Sequence, residues 1–245
     1  MKGPSHPGSP PPRGHRKTAN SGQYAIKVIS STTSEVYFGV SSCDWHSFDD
    51  NINCLDHGEH FRITPGLHKY TCNLTLDINT ANNHLSLSEG NRKVTRVEEE
   101  LPYPDHAERF DCFEQVLCRE SLSERYYWEA EWSARGAGLS VTYKKIQRTG
   151  SDCRFGLNEM SWSLICFDNK YSAWHSNKRT NLLAPSPSSN RVGVYLDWPA
   201  GKLSFYSVSD THTHTLIHLH TYHATFTEPL NAGFRLYPNS SVSLC

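Results

Sequence analysis

The sequence predicts an all-β fold, an antiparallel β-sandwich, on three observations. Two segments place an apolar residue at every second position: Tyr126, Trp128, Ala130 and Trp132 in one, Val192, Val194, Leu196 and Trp198 in the other. A period of two belongs to half-buried strands, with one face on a core and one on water. More segments of this kind follow without a strong helical pattern between them, and turn residues separate them. Those turns include Arg135-Gly136-Ala137-Gly138, Thr149-Gly150-Ser151-Asp152, Pro185-Ser186-Pro187, Pro199-Ala200-Gly201 and Ser209-Asp210.

Taken in order, residues 1–23 are rich in Pro, Gly, Ser and basic side chains, a composition that cannot bury enough surface to offset ordering entropy. They are expected to be a disordered tail. Residues 24–69 read as a linker or the remnant of an upstream domain. Strand-like material there (Ile26, Val28, Ile29, then Val36, Tyr37, Phe38) gives way to a polar stretch through His60. From Tyr70 onward the pattern is dense. An extended segment starts at Leu74-Thr75-Leu76-Asp77, and Leu85-Ser86-Leu87-Ser88 alternates before the loop Glu89-Gly90-Asn91. Strands are expected at 115–119, 126–133, 139–146, 161–167, 191–198, 202–208, 214–222, 231–237 and 241–245. No repeat of propeller or solenoid period is present.

Composition narrows the function classes. With 24 basic and 25 acidic residues, the chain offers no basic excess to attract nucleic acid or an anionic membrane. No apolar run approaches the ~20 residues that span a bilayer. The first twenty residues contain no apolar signal-peptide core, so the expected compartment is the cytoplasm and the eight cysteines are expected to be reduced thiols. Enzyme motifs are missing. Gly136-Ala137-Gly138 lacks the third glycine and leads into a strand, so it does not cradle a phosphate. Glu129 and Glu131 share one strand face and are expected to point at solvent, without the asymmetry that acid–base pairs need. No catalytic residue and no cofactor are expected.

Three sets of short motifs stand in the order and spacing of PRY–SPRY domains: Leu74-Thr75-Leu76-Asp77, Trp128-Glu129-Ala130-Glu131 and Leu196-Asp197-Trp198. Between and after them lie Phe155-Gly156-Leu157-Asn158, Ser161-Trp162-Ser163-Leu164, Lys202-Leu203-Ser204-Phe205-Tyr206, Phe226-Thr227-Glu228-Pro229-Leu230 and Gly233-Phe234-Arg235-Leu236. Residues ~70–245 therefore resemble a PRY–SPRY domain, with PRY at about 70–120 and SPRY at about 125–245. The style is that found at the C-terminus of fish NOD-like receptors and tripartite-motif proteins. Ile78, Ala130 and Trp198-Pro199 depart from the usual motif residues but keep the strand pattern. The resemblance implies a bent, concanavalin-like jelly-roll sandwich whose loop end binds a partner protein, with a monomer as the default state. It also covers pore-forming fish toxins, which carry large additional domains.

Within residues 161–167, Trp162, Leu164 and Cys166 share one face while Ser161, Ser163, Ile165 and Phe167 share the other. If the first set fills the core, Ile165 and Phe167 stand exposed beside serines, as in a binding patch. The resemblance implies that partners are bound on this strand face; a covering loop or two-sided burial is the competing reading. Tyr143, Lys144, Tyr171, Trp174 and Tyr237 are expected near the same end. Five late histidines (His212, His214, His218, His220, His223) include four of one parity, read as a polar solvent face in preference to a metal site. Cys43, His46, Cys54 and His57 have spacings that permit a zinc site and echo the opening of a B-box, without its remaining ligands. The favoured function is a non-catalytic protein-recognition module of an innate-immune sensor or ubiquitin-ligase-type protein; the alternative is a ligase component with a remnant zinc segment at residues 43–60.

Overall fold

The computed structural model describes residues 60–62, 66–209 and 215–245. The expected tail, most of residues 24–69, the candidate ligands Cys43, His46, Cys54 and His57, and His212 and His214 lie outside these residues.

Fourteen strands among the described residues build two antiparallel sheets packed face to face. One sheet has eight strands in the order β1 (His60–Arg62), β12 (Thr215–His223), β11 (Lys202–Ser209), β10 (Arg191–Asp197), β5 (Arg125–Trp132), β14 (Ser241–Leu244), β3 (Lys93–Arg96) and β2 (Leu85–Ser88). The other has six, in the order β4 (Gln115–Leu117), β13 (Leu230–Leu236), β6 (Gly136–Tyr143), β7 (Ser161–Phe167), β8 (Lys170–His175) and β9 (Lys178–Leu182). The all-β sandwich expected from the alternation is the observed architecture.

The inner faces interdigitate as the period of two requires. Trp128, Ala130, Trp132, Val192, Val194, Leu196 and Phe205 from the larger sheet meet Leu139, Val141, Trp162, Leu164, Cys166, Ala232 and Phe234 from the smaller one. Each fully buried large apolar side chain contributes on the order of 1.5–3 kcal/mol, so this layer holds the sheets in register.

Several elements differ from the sequence reading. The strand expected at 139–146 starts at Gly136 and ends at Tyr143. Gly136 is not a turn residue: its φ is 144°, and a Cβ there would lie 1.9 Å from the Cys166 carbonyl oxygen. Strand β8 was not anticipated, nor were β3 and β9. The β7–β8 and β8–β9 connections are two-residue loops, Asp168-Asn169 and Ser176-Asn177, with φ of 48°, 58°, 49° and 59°. Such left-handed pairs match the twist of a hairpin, and Asp and Asn tolerate them best.

The outer face of the eight-stranded sheet is not the solvated surface expected for Glu129. Tyr127, Tyr195, Tyr206, Val208 and Leu216 form a second apolar cluster there, closed by Leu67 and Tyr70. Within it Glu129 is buried. Its carboxylate accepts a hydrogen bond from the Tyr127 hydroxyl (2.6 Å) and another from Arg191 Nε (2.6 Å). Glu131, two residues on, is exposed as expected. The histidines also depart from the single face expected for them. A bulge in β12 pairs His220 with Phe205 and His218 with Tyr206, although 205 and 206 are adjacent. Directly paired residues share a face, so the bulge turns His218 and His220 to opposite sides of the sheet.

Candidate outer-face recognition site

The register of the six-stranded sheet sets out its outer face in rows. One row runs Gln115, Arg235, Gly138, Ile165, Ser172 and Asn181 across β4, β13, β6, β7, β8 and β9. The next runs Leu117, Gly233, Ser140, Ser163, Trp174 and Arg179. On the other side of Ile165, Gly136, Phe167 and Lys170 are paired. Ile165 thus has only glycine and serine beside it on the neighbouring strands. The floor around it is low, with the Ser140 hydroxyl donating to Ser163 (2.8 Å), while Arg235, Trp174 and Phe167 stand higher around it.

Part of this face is closed by its own small core of Phe110, Leu117, Ile146, Cys153 and Phe155. A buried glutamine pins the loop that supplies it: Gln115 Nε2 donates to the Cys153 carbonyl (2.9 Å) and its Oε1 accepts from the Phe155 amide (2.9 Å). Gly156 carries the loop past Trp174 with φ of 84°, where a Cβ would meet the Trp174 Cβ at 2.6 Å. That path puts Arg154 beside Trp174 and Phe113.

What remains open is an unbroken chain of guanidiniums and aromatic rings, alternating except where Tyr237 meets Phe167. Arg179 lies 5.6 Å from the Trp174 ring, and Arg154 lies 5.9 Å from Trp174 and 6.0 Å from Phe113. Arg235 is 5.4 Å from Phe113 and 5.0 Å from Tyr237. Tyr237 packs 4.6 Å from Phe167, and Arg135 sits 4.7 Å over Phe167. Cation–π contacts of this kind hold both partners in place at about 0.5–1 kcal/mol each where solvent reaches them. Arg135 is further fixed by a forked pair with Asp168, Nε to Oδ1 at 3.1 Å and Nη2 to Oδ2 at 2.6 Å. This pair holds the Asp168 carboxyl below its ordinary range. Burial acts in the opposite sense on Arg235, lowering its pKa through desolvation.

Of the side chains singled out in the sequence, Ile165, Phe167, Trp174 and Tyr237 come together on this face, each half-buried. Tyr143 and Tyr171 do not. Both point into the core, where the Tyr143 ring meets Trp162 edge-on and its hydroxyl accepts from the Thr227 amide, and the Tyr171 hydroxyl donates to the Ser189 carbonyl. Their odd-numbered positions in β6 and β8 carry inward parity, so neither ring can touch a partner. Lys144 is exposed and paired with Glu108, but β6 ends there, at the end of the sheet opposite Phe167. The sequence reading missed Phe113, Arg135, Arg154, Arg179 and Arg235. For Arg235 a signal exists: in β13, Leu230, Ala232, Phe234 and Leu236 take the inward parity and leave Arg235 outward.

Family models for the SPRY-associated domain, PRY, and for the SPRY domain match residues 74–122 and 125–245. The chain belongs to the PRY–SPRY family. Among curated relatives, stonustoxin subunit beta of Synanceia horrida is 45% identical over 169 residues, covering 67% of this chain and 23% of the toxin subunit. Tripartite motif-containing protein 16 of Mus musculus is 42% identical over 173 residues, covering 69% of this chain and 30% of that protein. The chain thus spans under a third of the length of these relatives. Among solved structures, the TRIM65 PSpry domain superimposes with a TM-score of 0.66 at 29% identity, covering 75% of this chain and 97% of that one. The stonustoxin structure gives 0.68 at 41% identity, covering 76% and 29%. In tripartite-motif proteins the PRY–SPRY domain is a protein-interaction module.

Proposed function

We propose that this PRY–SPRY domain is a non-catalytic recognition module that holds a protein partner on the outer face of its six-stranded sheet, around Ile165, Phe167, Trp174 and Tyr237. The observation that carries this reading is the alternating ring–guanidinium chain on a rigid sheet. Aromatic and arginine side chains that are already ordered lose little freedom on binding, and they are the residues that dominate interface energetics. The residues flanking Ile165 across the sheet, Gly138 and Ser172, are small, so its side chain is the apolar feature of that row. No acid–base pair or nucleophile with an activating base is needed for this role, because the scaffold supplies rigidity and the variable surface supplies selectivity.

The likeness to tripartite-motif proteins supports a place in target selection by a ubiquitin-ligase-type protein or an innate-immune sensor, in the cytoplasm. The likeness to stonustoxin subunits covers the same PRY–SPRY part, so the reading is made for the domain and does not depend on the surrounding architecture. The test is affinity capture from host cytosol with the full chain, comparing wild type, Phe167→Ala, Ile165→Ala and, on the opposite sheet, Glu131→Ala. A protein retained by wild type and Glu131→Ala but lost by both β7 variants supports the reading. Equal retention by all four overturns it.

A further inference from the structure

Charge on the recognition face is distributed unlike charge on the rest of the chain. The whole sequence is nearly neutral, with a formal net charge of −1. The outer face of the six-stranded sheet nevertheless gathers Arg135, Arg154, Arg179, Arg235 and Lys170, and the carboxylate of Asp168 is already taken up by Arg135. Glu114, the other carboxylate near Arg235, is paired at 3.5 Å with Arg96. Among the described residues no carboxylate lies within ion-pair distance of Arg154, Arg179 or Arg235. Moreover, Nε and Nη1 of Arg235 and Nε of Arg154 are buried without a hydrogen-bond acceptor among those residues, so an incoming anion meets these guanidiniums through their remaining nitrogens. A guanidinium stripped of water and left without an anion is costly. The rings of Phe113, Tyr237 and Trp174 lie 5.4, 5.0 and 5.9 Å from these guanidiniums, contacts that offset only part of that cost.

We infer that the partner bound on this face is an acidic segment of a protein, presenting at least two Asp or Glu carboxylates to Arg235, Arg154 and Arg179 on either side of an apolar side chain that seats over Ile165. This deepens the recognition reading proposed above and rests on it. The chemistry follows from the spacing of functions along the face. Carboxylates pair with the guanidinium nitrogens left at the surface of side chains already held beside aromatic rings, so little side-chain entropy is lost when the pairs form. The Gly138–Ile165–Ser172 row, with its one apolar side chain, lies among these cations. An acidic segment is also drawn to this side of the molecule from a distance, since neither the near-zero total charge nor the paired Asp168 opposes it.

The experiment measures fluorescence anisotropy of the full chain with two labelled sixteen-residue peptides, one with Glu flanking a central Leu and one with every Glu replaced by Gln. Wild type, Arg235→Gln, Arg179→Gln and Phe167→Ala are compared at two salt concentrations. Circular dichroism confirms that each variant is folded. The inference expects the Glu peptide to bind at least tenfold tighter than the Gln peptide and each arginine variant to lose fivefold or more. The loss should be larger at low salt. Equal binding of the two peptides, or arginine variants equal to wild type, overturns the inference. If in that case Phe167→Ala still loses the protein captured from cytosol, the face binds its partner by apolar contact alone and the recognition reading stands. If capture is also unchanged, both fall.

Discussion

Glu129 illustrates how one buried carboxylate ties the strands of the larger sheet together. It links Tyr127 on its own strand to Arg191 on β10 inside an apolar cluster. Glu129→Ala would leave the Tyr127 hydroxyl and a largely buried guanidinium without their acceptor. Discounted for the partial exposure of Arg191, that loss is about 2–3 kcal/mol, measurable as a lower urea midpoint at unchanged slope. Glu131→Ala, at an exposed position on the same face, should fall within about 0.5 kcal/mol of wild type. Cysteine reactivity offers a second check at this scale. Cys118 and Cys166 are buried in the core and their thiols are pushed well above the usual range by desolvation, whereas Cys112 and Cys245 are exposed. Iodoacetamide labelling read by peptide mass spectrometry should modify Cys112 and Cys245 in the native protein. Cys118 and Cys166 should be modified only once urea unfolds it, because burial denies the reagent access to them and keeps their thiols protonated.

Among the elements, the loop between β6 and β7 and the hairpins that follow it position the residues of the proposed recognition face. Gly156→Ala forces a Cβ into the Trp174 Cβ at a positive φ. The expected result is a loss of about 1–3 kcal/mol together with a shifted tryptophan emission; unchanged stability would mean that the loop moves freely over the sheet. In β12, burial lowers the pKa of His220, with His218 adding to the effect, while Tyr222 packs 4.4 Å from its ring. A histidine whose folded pKa lies below its unfolded one favours folding above the unfolded value and loses that contribution as pH falls through the unfolded value toward the folded one. Wild type should therefore lose more stability than His220→Asn between pH 7 and pH 5, as followed by thermal melts. The inner faces of these elements were readable because burial imposes a period of two on Trp162, Leu164 and Cys166. The outer face was only half readable. Ile165 and Phe167 broke the polar alternation visibly, but Arg154 and Phe113 reach the site from irregular segments that carry no period. Gly136 was misread because a glycine admitted for close backbone approach looks the same in sequence as one required by a turn.

Seen as a whole molecule, the sandwich has two differently finished outer faces. The larger sheet covers its own with Tyr127, Tyr195, Tyr206 and the segment carrying Leu67 and Tyr70. The smaller sheet covers only one half of its own and leaves the other as stacked rings and guanidiniums. That asymmetry is the basis for proposing recognition on the smaller sheet's side. The family resemblance was legible in the sequence because its motifs carry buried residues such as Leu74, Leu76, Trp128, Ala130 and Leu196, where packing fixes residue type. The arginine chain was not, because it is assembled from β9, β13 and two loops that are distant in sequence. The central claim, that a partner protein docks on this half-open face, is tested most directly by hydroxyl-radical footprinting of the domain with and without the captured partner. Phe167, Trp174 and Tyr237 should be oxidised in the free protein and protected in the complex, while the half-exposed Tyr70 over the eight-stranded sheet keeps its reactivity. Unchanged oxidation of those three rings, with protection appearing on the opposite sheet, would contradict it.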